Sequence, residues 1–273
     1  MATVVSAYYP LNKAKRGVNQ YMTWIKNFCS IPCNLVFYTD ASTAPLIRKL
    51  RGDLPTVVIE RDFHSFRMTS PHMMKLWGRH HALDREKSIH SPELYAVWAL
   101  KQEFVRDAIT QNHYKSTYFI WCDCGIYRDP SLYNHYKQFP SLDVCNRMCS
   151  PGRIVFLEVE HIPDAFCDRR NQGLPIQYPT PFNSLGGGCI AGDVEAWADF
   201  GPAYEKMVLT LDTMGIFVGK DQNVFFTMLM LNATKSPFLV YKAAPFALGK
   251  GDYWFSLPIA LGGAQTLEKD GRF

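Results

Sequence analysis

The chain has 273 residues, of which 47% are hydrophobic and 20% are charged, and its 29 basic and 25 acidic residues give a net charge of +4. This composition excludes a disordered or fibrous protein, and so small a basic excess argues against a nucleic-acid-binding protein. No window approaches the roughly 18 uninterrupted apolar residues that a membrane span requires, and no signal peptide is recognisable. We therefore predict a single-domain, soluble, cytoplasmic protein.

The first part of the chain predicts a βαβ unit. A β-branched run over 3–8 favours a buried strand, apolar residues recur at helical spacing over 19–28, and 35–38 favours a second strand. Such a unit is expected to be parallel and right-handed. Polar and aromatic residues stand at the strand ends and in the loop between strand and helix; they are Tyr8, Tyr9, Arg16 and Asp40.

The middle of the chain alternates an irregular stretch with a strong helix signal. Residues 61–90 are rich in His, Arg, Lys and Met without a clean period, which favours loops and short helices. Ser91 followed by Pro92 then predicts a helix that runs to about Thr110. Lys101 interrupts the apolar face of this helix, and this makes it a candidate functional residue.

A short aromatic strand comes next and ends at a carboxylate. The apolar run 118–122 is followed by Asp123, and Gly125 then lets the backbone turn. The carboxyl end of a buried strand is where open α/β sheets bind ligands. Asp123 is therefore the first functional candidate, the alternative being a side chain that only caps the turn.

The second half carries further candidate elements. The pattern predicts a helix over 132–139, a short strand beginning at Val144 and another over 153–157. Three glycines at 186–188 precede a small apolar strand. Asp221 stands at the start of a later helix, where it could serve either as a functional carboxylate or as an N-cap.

Two of these stretches resemble a known family. Residues 93–101, ELYAVWALK, and residues 121–126, WCDCGI, resemble the HtrL/YibB family of glycosyltransferase-like proteins, and the order of features is similar to that of a GT-A fold transferase. The resemblance implies one α/β domain over 1–273 with a mostly parallel central sheet flanked by helices and a Rossmann-like nucleotide-binding half. Residues 1–130 would bind the donor, and 131–273 the acceptor.

The resemblance also implies an activity and a set of site residues. The protein would move a sugar from a nucleotide-diphosphate donor, most simply a UDP-sugar, to a glycan acceptor, with Asp221 as the base of an inverting reaction. Where the family pattern has the metal motif Asp-x-Asp, this chain has Asp-x-Gly, so Mn²⁺ or Mg²⁺ would be held by Asp123, with Asp252 as a further candidate ligand. The implied donor-binding residues are Tyr8, Tyr9, Arg16, Asp40, Lys101, Asp123, Gly187 and Gly188.

Other interpretations remain open from the sequence alone. A metal-independent enzyme would neutralise the diphosphate with basic residues, for which the candidates are Lys13, Lys15, Arg16, Lys75 and Lys101. The enzymatic alternative is a nucleotidyltransferase. A third possibility is a non-catalytic carbohydrate- or nucleotide-binding protein that keeps the fold without the second aspartate.

Overall fold

The computed structural model describes residues 1–11, 13, 17–173, 183–243 and 253–273. Arg16 and Asp252, two of the predicted site residues, lie outside this described part of the chain, as does Lys15. Within it, seven strands form one sheet in the order β3-β2-β1-β4-β6-β5-β7. The strands are β1 Ala2–Tyr8, β2 Leu35–Thr39, β3 Thr56–Glu60, β4 Tyr118–Cys122, β5 Ile154–Glu158, β6 Leu185–Asp193 and β7 Phe238–Lys242.

Helices cover both faces of this sheet. They are α1 Val18–Cys29, α2 Ala44–Arg51, α3 Pro71–Leu83, α4 Pro92–Gln111, α5 Tyr133–Tyr136, α6 Leu142–Cys149, α7 Asp164–Cys167, α8 Val194–Thr213, α9 Asp221–Leu231 and α10 Ser256–Leu261. Single 3₁₀ turns lie at Phe63–Ser65, Arg67–Thr69, Pro130–Leu132 and Tyr253–Phe255. The predicted α/β class, with helices flanking a central sheet, is confirmed.

The sheet is mostly parallel, as predicted, and β6 is the exception. Strands β1, β2, β3 and β4 pair in parallel, and so do β5 and β7, whereas β6 runs antiparallel to both β4 and β5. Because β6 is reversed, its first residues lie at the sheet edge where β4 ends. Cys189 of β6 is thus the partner of Cys122 in β4, which brings the glycine run beside Asp123.

One local prediction was wrong, and another was correct only in part. The short strand predicted to begin at Val144 is the helix α6, whose buried residues Val144, Cys145, Met148 and Cys149 recur at helical spacing. The segment 61–90 is also more regular than predicted, because it contains the 13-residue helix α3. In both segments the burial of one helical face decides the structure over a weak local pattern.

The core forms two layers, one on each face of the sheet, and strand alternation decides which residues join which layer. Phe119 and Trp121 of β4 point to the face covered by α3, α4, α8 and α9, whereas Tyr118, Ile120 and Cys122 point to the other face. On the first face the rings of Tyr9 and Trp121 stack on Phe104 of α4, with interplanar angles of 13° and 12°. This stack fixes α4 against the two central strands.

A buried arginine connects the two loops that precede β2 and β3, at the amino-terminal edge of these strands. Arg51, at the end of α2, is only 2% exposed. Its guanidinium donates hydrogen bonds to the carbonyl oxygens of Cys29, Ile31, Cys33 and Pro55 at 2.6–3.1 Å and to the hydroxyl of Thr56 at 2.7 Å. One side chain thus satisfies backbone groups of two separate connections.

We expect Arg51→Met to lower the free energy of unfolding by about 3 kcal/mol, because it leaves several buried carbonyl groups without donors. Urea unfolding followed by circular dichroism measures the loss. Arg48→Met is the matched control, since Arg48 of the same helix is 51% exposed and only pairs with Glu60 on the surface. Equal stability of the two variants would contradict the role given to Arg51.

Candidate active site

A buried lysine joins three segments that are distant in sequence. Ser91 caps α4 by accepting a hydrogen bond from the backbone N–H of Leu94, and the helix carries Lys101 to the sheet edge, where it is 4% exposed. Its Nζ donates to Asp221 Oδ2 and to the carbonyl oxygen of Gly187, both at 2.8 Å, and lies 3.5 Å from Asp123 Oδ1. The structure thus brings Lys101, Asp123, Gly187 and Asp221 together.

Asp123 follows β4 directly and is oriented by its neighbours. Its backbone N–H donates to the carbonyl oxygen of Gly188 at 2.8 Å, and the indole Nε1 of Trp121 donates to its Oδ1 at 2.7 Å. Its side chain is 41% exposed. With Oδ1 engaged by Trp121 and Lys101, Oδ2 is the oxygen that remains for a ligand.

Asp221 is held more tightly than Asp123. It is the first residue of α9, after the N-cap residue Lys220, and it is 5% exposed. Oδ1 accepts from the backbone N–H of Gln222 at 2.9 Å, while Oδ2 accepts from Lys101. The side chain of Gln222 donates to the carbonyl oxygen of Leu185 at 2.7 Å, so the helix start is tied to β6.

The charges of the cluster act on one another. Burial lowers the pKa of the Lys101 ammonium, but Asp123 and Asp221 raise it by more, so it lies above the usual value of 10.5. The surrounding protein partly desolvates the Asp123 carboxyl, which is 41% exposed, and this raises its pKa above the usual value, while Lys101 and the Trp121 hydrogen bond oppose the rise. Lys101 therefore stays charged at all pH values at which the protein would be studied.

The glycines beside this cluster have different surroundings. A Cβ on Gly187 would lie 2.5 Å from Asp221 Oδ2 and 3.1 Å from Lys101 Nζ, so no side chain fits there. A Cβ on Gly188 would meet nothing nearer than Asp123 Oδ2, at 3.6 Å. Gly187 is therefore required by the close packing of the ion pair, whereas a Cβ on Gly188 would make only ordinary van der Waals contacts, with Asp123, Ile126 and Phe255.

The remaining predicted residues are less close to the cluster. Tyr9 is buried in the core, where its hydroxyl donates to the carbonyl oxygen of Arg61 at 3.1 Å. Asp40 closes a turn by accepting hydrogen bonds from Ser42 and from the backbone of Thr43. Tyr8 is half-buried against Tyr21, with ring centroids 6.1 Å apart.

Of the basic candidates, Lys13 is exposed and donates to the carbonyl oxygen of Lys87 at 2.8 Å, and Lys75 is exposed on α3.

The structure adds site residues that the sequence did not indicate. Tyr21 and Trp24 of α1 lie beside Gly125, where a Cβ would be 3.7 Å from Tyr21 Cε1 and 3.4 Å from Trp24 Cε3. Phe255 reaches Gly188 from the C-terminal part of the chain, and the Arg128 cation lies over the rings of Trp24 and Phe255. We call Tyr21, Trp24, Arg128 and Phe255 the aromatic rim. A helical apolar period explains Tyr21 and Trp24 equally well as core residues, so no local signal distinguishes them.

A second group of side chains could also hold a cation. Asp84, Glu86 and His90 each offer a ligand atom within 4.8 Å of the others. These side chains are engaged with protein partners as well, because Tyr95 donates to Asp84 and Lys220 pairs with Glu86. The predicted Mn²⁺ or Mg²⁺ therefore has two candidate locations, at Asp123 Oδ2 and at this group beside the start of α9.

Comparisons with known proteins were made for the sequence and for the structure. No protein-family model and no curated protein sequence matches the chain, so membership of the HtrL/YibB family stays a prediction. Among solved structures, the chain is similar to the apo form of mouse xyloside xylosyltransferase 1, with a TM-score of 0.44 and 13% identity over 88% of this chain and 85% of that one. No residue role is transferred at this level of similarity. Among the helices of the described residues, none is long and apolar enough to cross a membrane.

The two neighbouring glycines allow a matched test of the ion-pair cluster. We expect Gly187→Ala to lower the free energy of unfolding by about 1–3 kcal/mol, because its methyl group would force Asp221 away from Lys101. Gly188→Ala should change stability by less than about 0.5 kcal/mol, since its methyl group would meet its neighbours only at ordinary van der Waals distances. Denaturant unfolding measures the free energy of unfolding of both variants. An equal loss of stability in both would contradict the packing argument.

The raised pKa of Asp123 gives a pH prediction. The Asp123 carboxyl holds its proton more tightly in the folded protein than in the unfolded chain. Ionisation of this carboxyl therefore lowers the free energy of unfolding; the loss begins above pH 3.8 and is complete above the higher folded-state pKa. We expect the Asp123→Asn variant not to show this loss. The free energy of unfolding of the variant minus that of the unsubstituted protein should therefore rise with pH over that interval and then stay constant. Urea unfolding of both proteins from pH 3 to pH 8 measures the difference; a difference that falls with pH would refute the assignment.

Proposed function

We propose that the protein is a glycosyltransferase that transfers a sugar from a nucleotide-diphosphate donor, most simply a UDP-sugar, to a glycan acceptor. The single observation that carries the proposal is the convergence on Lys101 of a carboxylate at the end of a central strand, a glycine-rich strand start and a second, buried carboxylate. In this proposal residues 1–130 supply most of the donor-binding surface and residues 131–273 the acceptor side.

Asp123 is the proposed anchor for the donor diphosphate. Its Oδ2 lies on the open side of the cluster, and a partly exposed carboxylate is a ligand that Mg²⁺ or Mn²⁺ accepts while retaining water and phosphate oxygens. A divalent ion bound there would neutralise charge on the diphosphate leaving group. Gly188 carries no side chain beside Asp123 Oδ2, where the donor sugar would lie.

Asp221 is the proposed base for the acceptor hydroxyl. The acceptor oxygen would attack the anomeric carbon, the bond from that carbon to the phosphate oxygen would break, and its electron pair would leave with the nucleoside diphosphate. The proton of the acceptor hydroxyl would pass to Asp221, and a direct displacement of this kind inverts the configuration. Lys101 would hold Asp221 in place and limit the charge of the two neighbouring carboxylates.

A second candidate is a nucleotide- or carbohydrate-binding protein without transferase activity. It is favoured by one observation: both oxygens of Asp221 already accept hydrogen bonds, from Lys101 and from Gln222, and the side chain is nearly inaccessible. Under this alternative Asp221 only fixes the start of α9. Binding of a nucleotide without turnover of any nucleotide sugar would distinguish it from the first candidate.

Thermal unfolding in the presence of UDP, GDP, ADP and CDP, each with and without Mn²⁺, tests the binding step. A ligand at about 100 times its Kd stabilises the folded state by about 2.7 kcal/mol, which raises Tm measurably. We expect one nucleoside diphosphate, most simply UDP, to do so, with a larger effect when Mn²⁺ is present. No stabilisation by any of the four would overturn the proposal.

Gly188→Ala and Asp123→Asn separate function from folding. Both variants are expected to fold normally. Their rates of donor hydrolysis and of sugar transfer are expected to fall by at least about tenfold, for a different reason in each variant. The alanine methyl group would occupy the sugar space and spare UDP binding, whereas Asp123→Asn would remove the Mn²⁺-dependent part of UDP binding. Release of UDP from a panel of UDP-sugars measures turnover, and full activity in either variant would contradict the role given to that residue.

A further inference from the structure

A buried histidine holds the connection between α8 and α9, residues 214–220, which directly precedes Asp221. Backbone hydrogen bonds from the connection to α8 reach as far as Ile216, whose N–H donates to a carbonyl oxygen of that helix at 2.9 Å. Two residues later the N–H of Val218 donates to Nδ1 of His80, on α3, at 3.4 Å. Val218 and His80 are both buried, so the protein itself has to supply the acceptor for this N–H.

The connection is also packed against α3 and α4. The ring centroid of Phe217 lies 6.1 Å from that of His80 on α3 and 6.1 Å from that of Tyr95 on α4. A Cβ on Gly219 would lie 2.6 Å from the Phe217 ring and 3.1 Å from Tyr95, so the backbone passes close to both rings. Asp221 follows two residues after this glycine. A displacement of this tightly packed backbone would therefore also displace Asp221.

The hydrogen bonds of His80 define its protonation state. A backbone N–H can only donate, so Nδ1 is the unprotonated nitrogen and the proton lies on Nε2. Nε2 donates to Asp212 Oδ1 of α8 at 3.0 Å, and Asp212 also accepts hydrogen bonds from Arg79 at 2.8 and 2.9 Å. Burial lowers the pKa of His80 below its usual value of 6.5; Asp212 opposes this shift and Arg79 supports it. His80 is therefore predominantly neutral at pH 7, as the contact with Val218 requires.

Protonation of His80 would remove the acceptor that the connection uses. An imidazolium carries N–H groups on both nitrogens, so Nδ1 would face the Val218 N–H with a second donor. The charged groups that act on the ring are Asp212 of α8 and Arg79 of α3 itself, and from the connection the uncharged ring of Phe217 faces it. Because the unfolded chain takes up this proton at the higher pH, the contribution of neutral His80 to stability is complete above pH 6.5. It is lost as the pH falls through the lower folded-state pKa.

We infer that His80 is a positioning residue for Asp221: through Val218 it holds the connection in the arrangement in which Asp221 meets Lys101. Neutral His80 supports this arrangement, and protonated His80 releases it. The effect on sugar transfer rests on the proposed function, in which Asp221 is the base, whereas the effect on the connection requires no ligand.

Hydrogen–deuterium exchange of the full chain without ligand tests the contact. After correction for the intrinsic exchange rate, we expect the protection of 214–221 to fall by at least about tenfold from pH 8 to pH 4.5, because protonation of His80 frees the Val218 N–H. The protection of α4 should stay constant over the same range and reports that the fold is intact. Equal changes in the two segments would overturn the inference.

Two substitutions separate the hydrogen bonds of His80. The side-chain oxygen of His80→Asn would lie near the place of Nδ1 and could accept from Val218, whereas the amide of His80→Gln would reach the place of Nε2 and keep only the bond to Asp212. We expect His80→Gln to lower kcat for UDP release from a panel of UDP-sugars by at least about tenfold without changing the Kd for UDP, because the base is displaced and the donor site is not. The protection of 214–221 should fall as well.

His80→Asn should retain most of the turnover and most of the protection of 214–221. It should also lose the fall of protection at acid pH, since its amide does not titrate. His72→Gln is the matched control, because His72 is exposed on the same helix.

The outcomes separate this inference from the proposed function. Turnover and protection that are equal in His80→Gln and His72→Gln would overturn the role of His80 and leave the glycosyltransferase proposal standing. An equal loss in His80→Gln and His80→Asn would also overturn it, since it would show that the volume of the side chain matters rather than Nδ1. No binding of UDP, GDP, ADP or CDP to the unsubstituted protein would overturn the proposed function alone, because the exchange of 214–221 still decides the role of His80.

Discussion

The sheet edge is organised by one interaction, the hydrogen-bonded ion pair of the Lys101 ammonium with Asp221 and its approach to Asp123. A buried ammonium without partners would be strongly destabilising, so α4 can present Lys101 at this edge only because α9 and β4 deliver carboxylates to it. Gly187 completes the arrangement, because its carbonyl oxygen accepts a hydrogen bond from Lys101 and because it has no side chain. The reversed direction of β6 is what puts this glycine at the edge.

The cluster has a charge balance that bears on what it can bind. Two carboxylates and one ammonium carry one formal negative charge, which by itself repels a diphosphate. A ligand of that kind needs additional positive charge, and under the proposed function a divalent ion held by Asp123 Oδ2 would supply it.

The sequence predicted those parts of the fold and site that are encoded locally. The first βαβ unit, the helix around Lys101, the strand ending at Asp123 and the helix beginning at Asp221 each have their own periodicity or capping signal, and Lys101 stood out because it interrupts an apolar face. The strand predicted at Val144 was wrong because the four buried residues of this eight-residue segment recur at helical spacing. The burial of that helical face outweighs the β-propensity of the individual residues. The aromatic rim was missed because Trp24, Arg128 and Phe255 meet only through the fold, more than 100 positions apart along the chain.

Gly125 shows how a local motif acquires its meaning from distant residues. In the sequence it reads as the loss of a carboxylate from Asp-x-Asp, and the simplest inference is a weakened metal site. In the structure Gly125 borders Trp24 and Tyr21, and its carbonyl oxygen accepts a hydrogen bond from Arg128. The glycine is therefore explained by packing, because a longer side chain at this position would have to share the space of the Trp24 and Tyr21 rings. Asp123 keeps its place at the end of β4 whichever residue stands at position 125, since its orientation depends on Trp121 and Lys101.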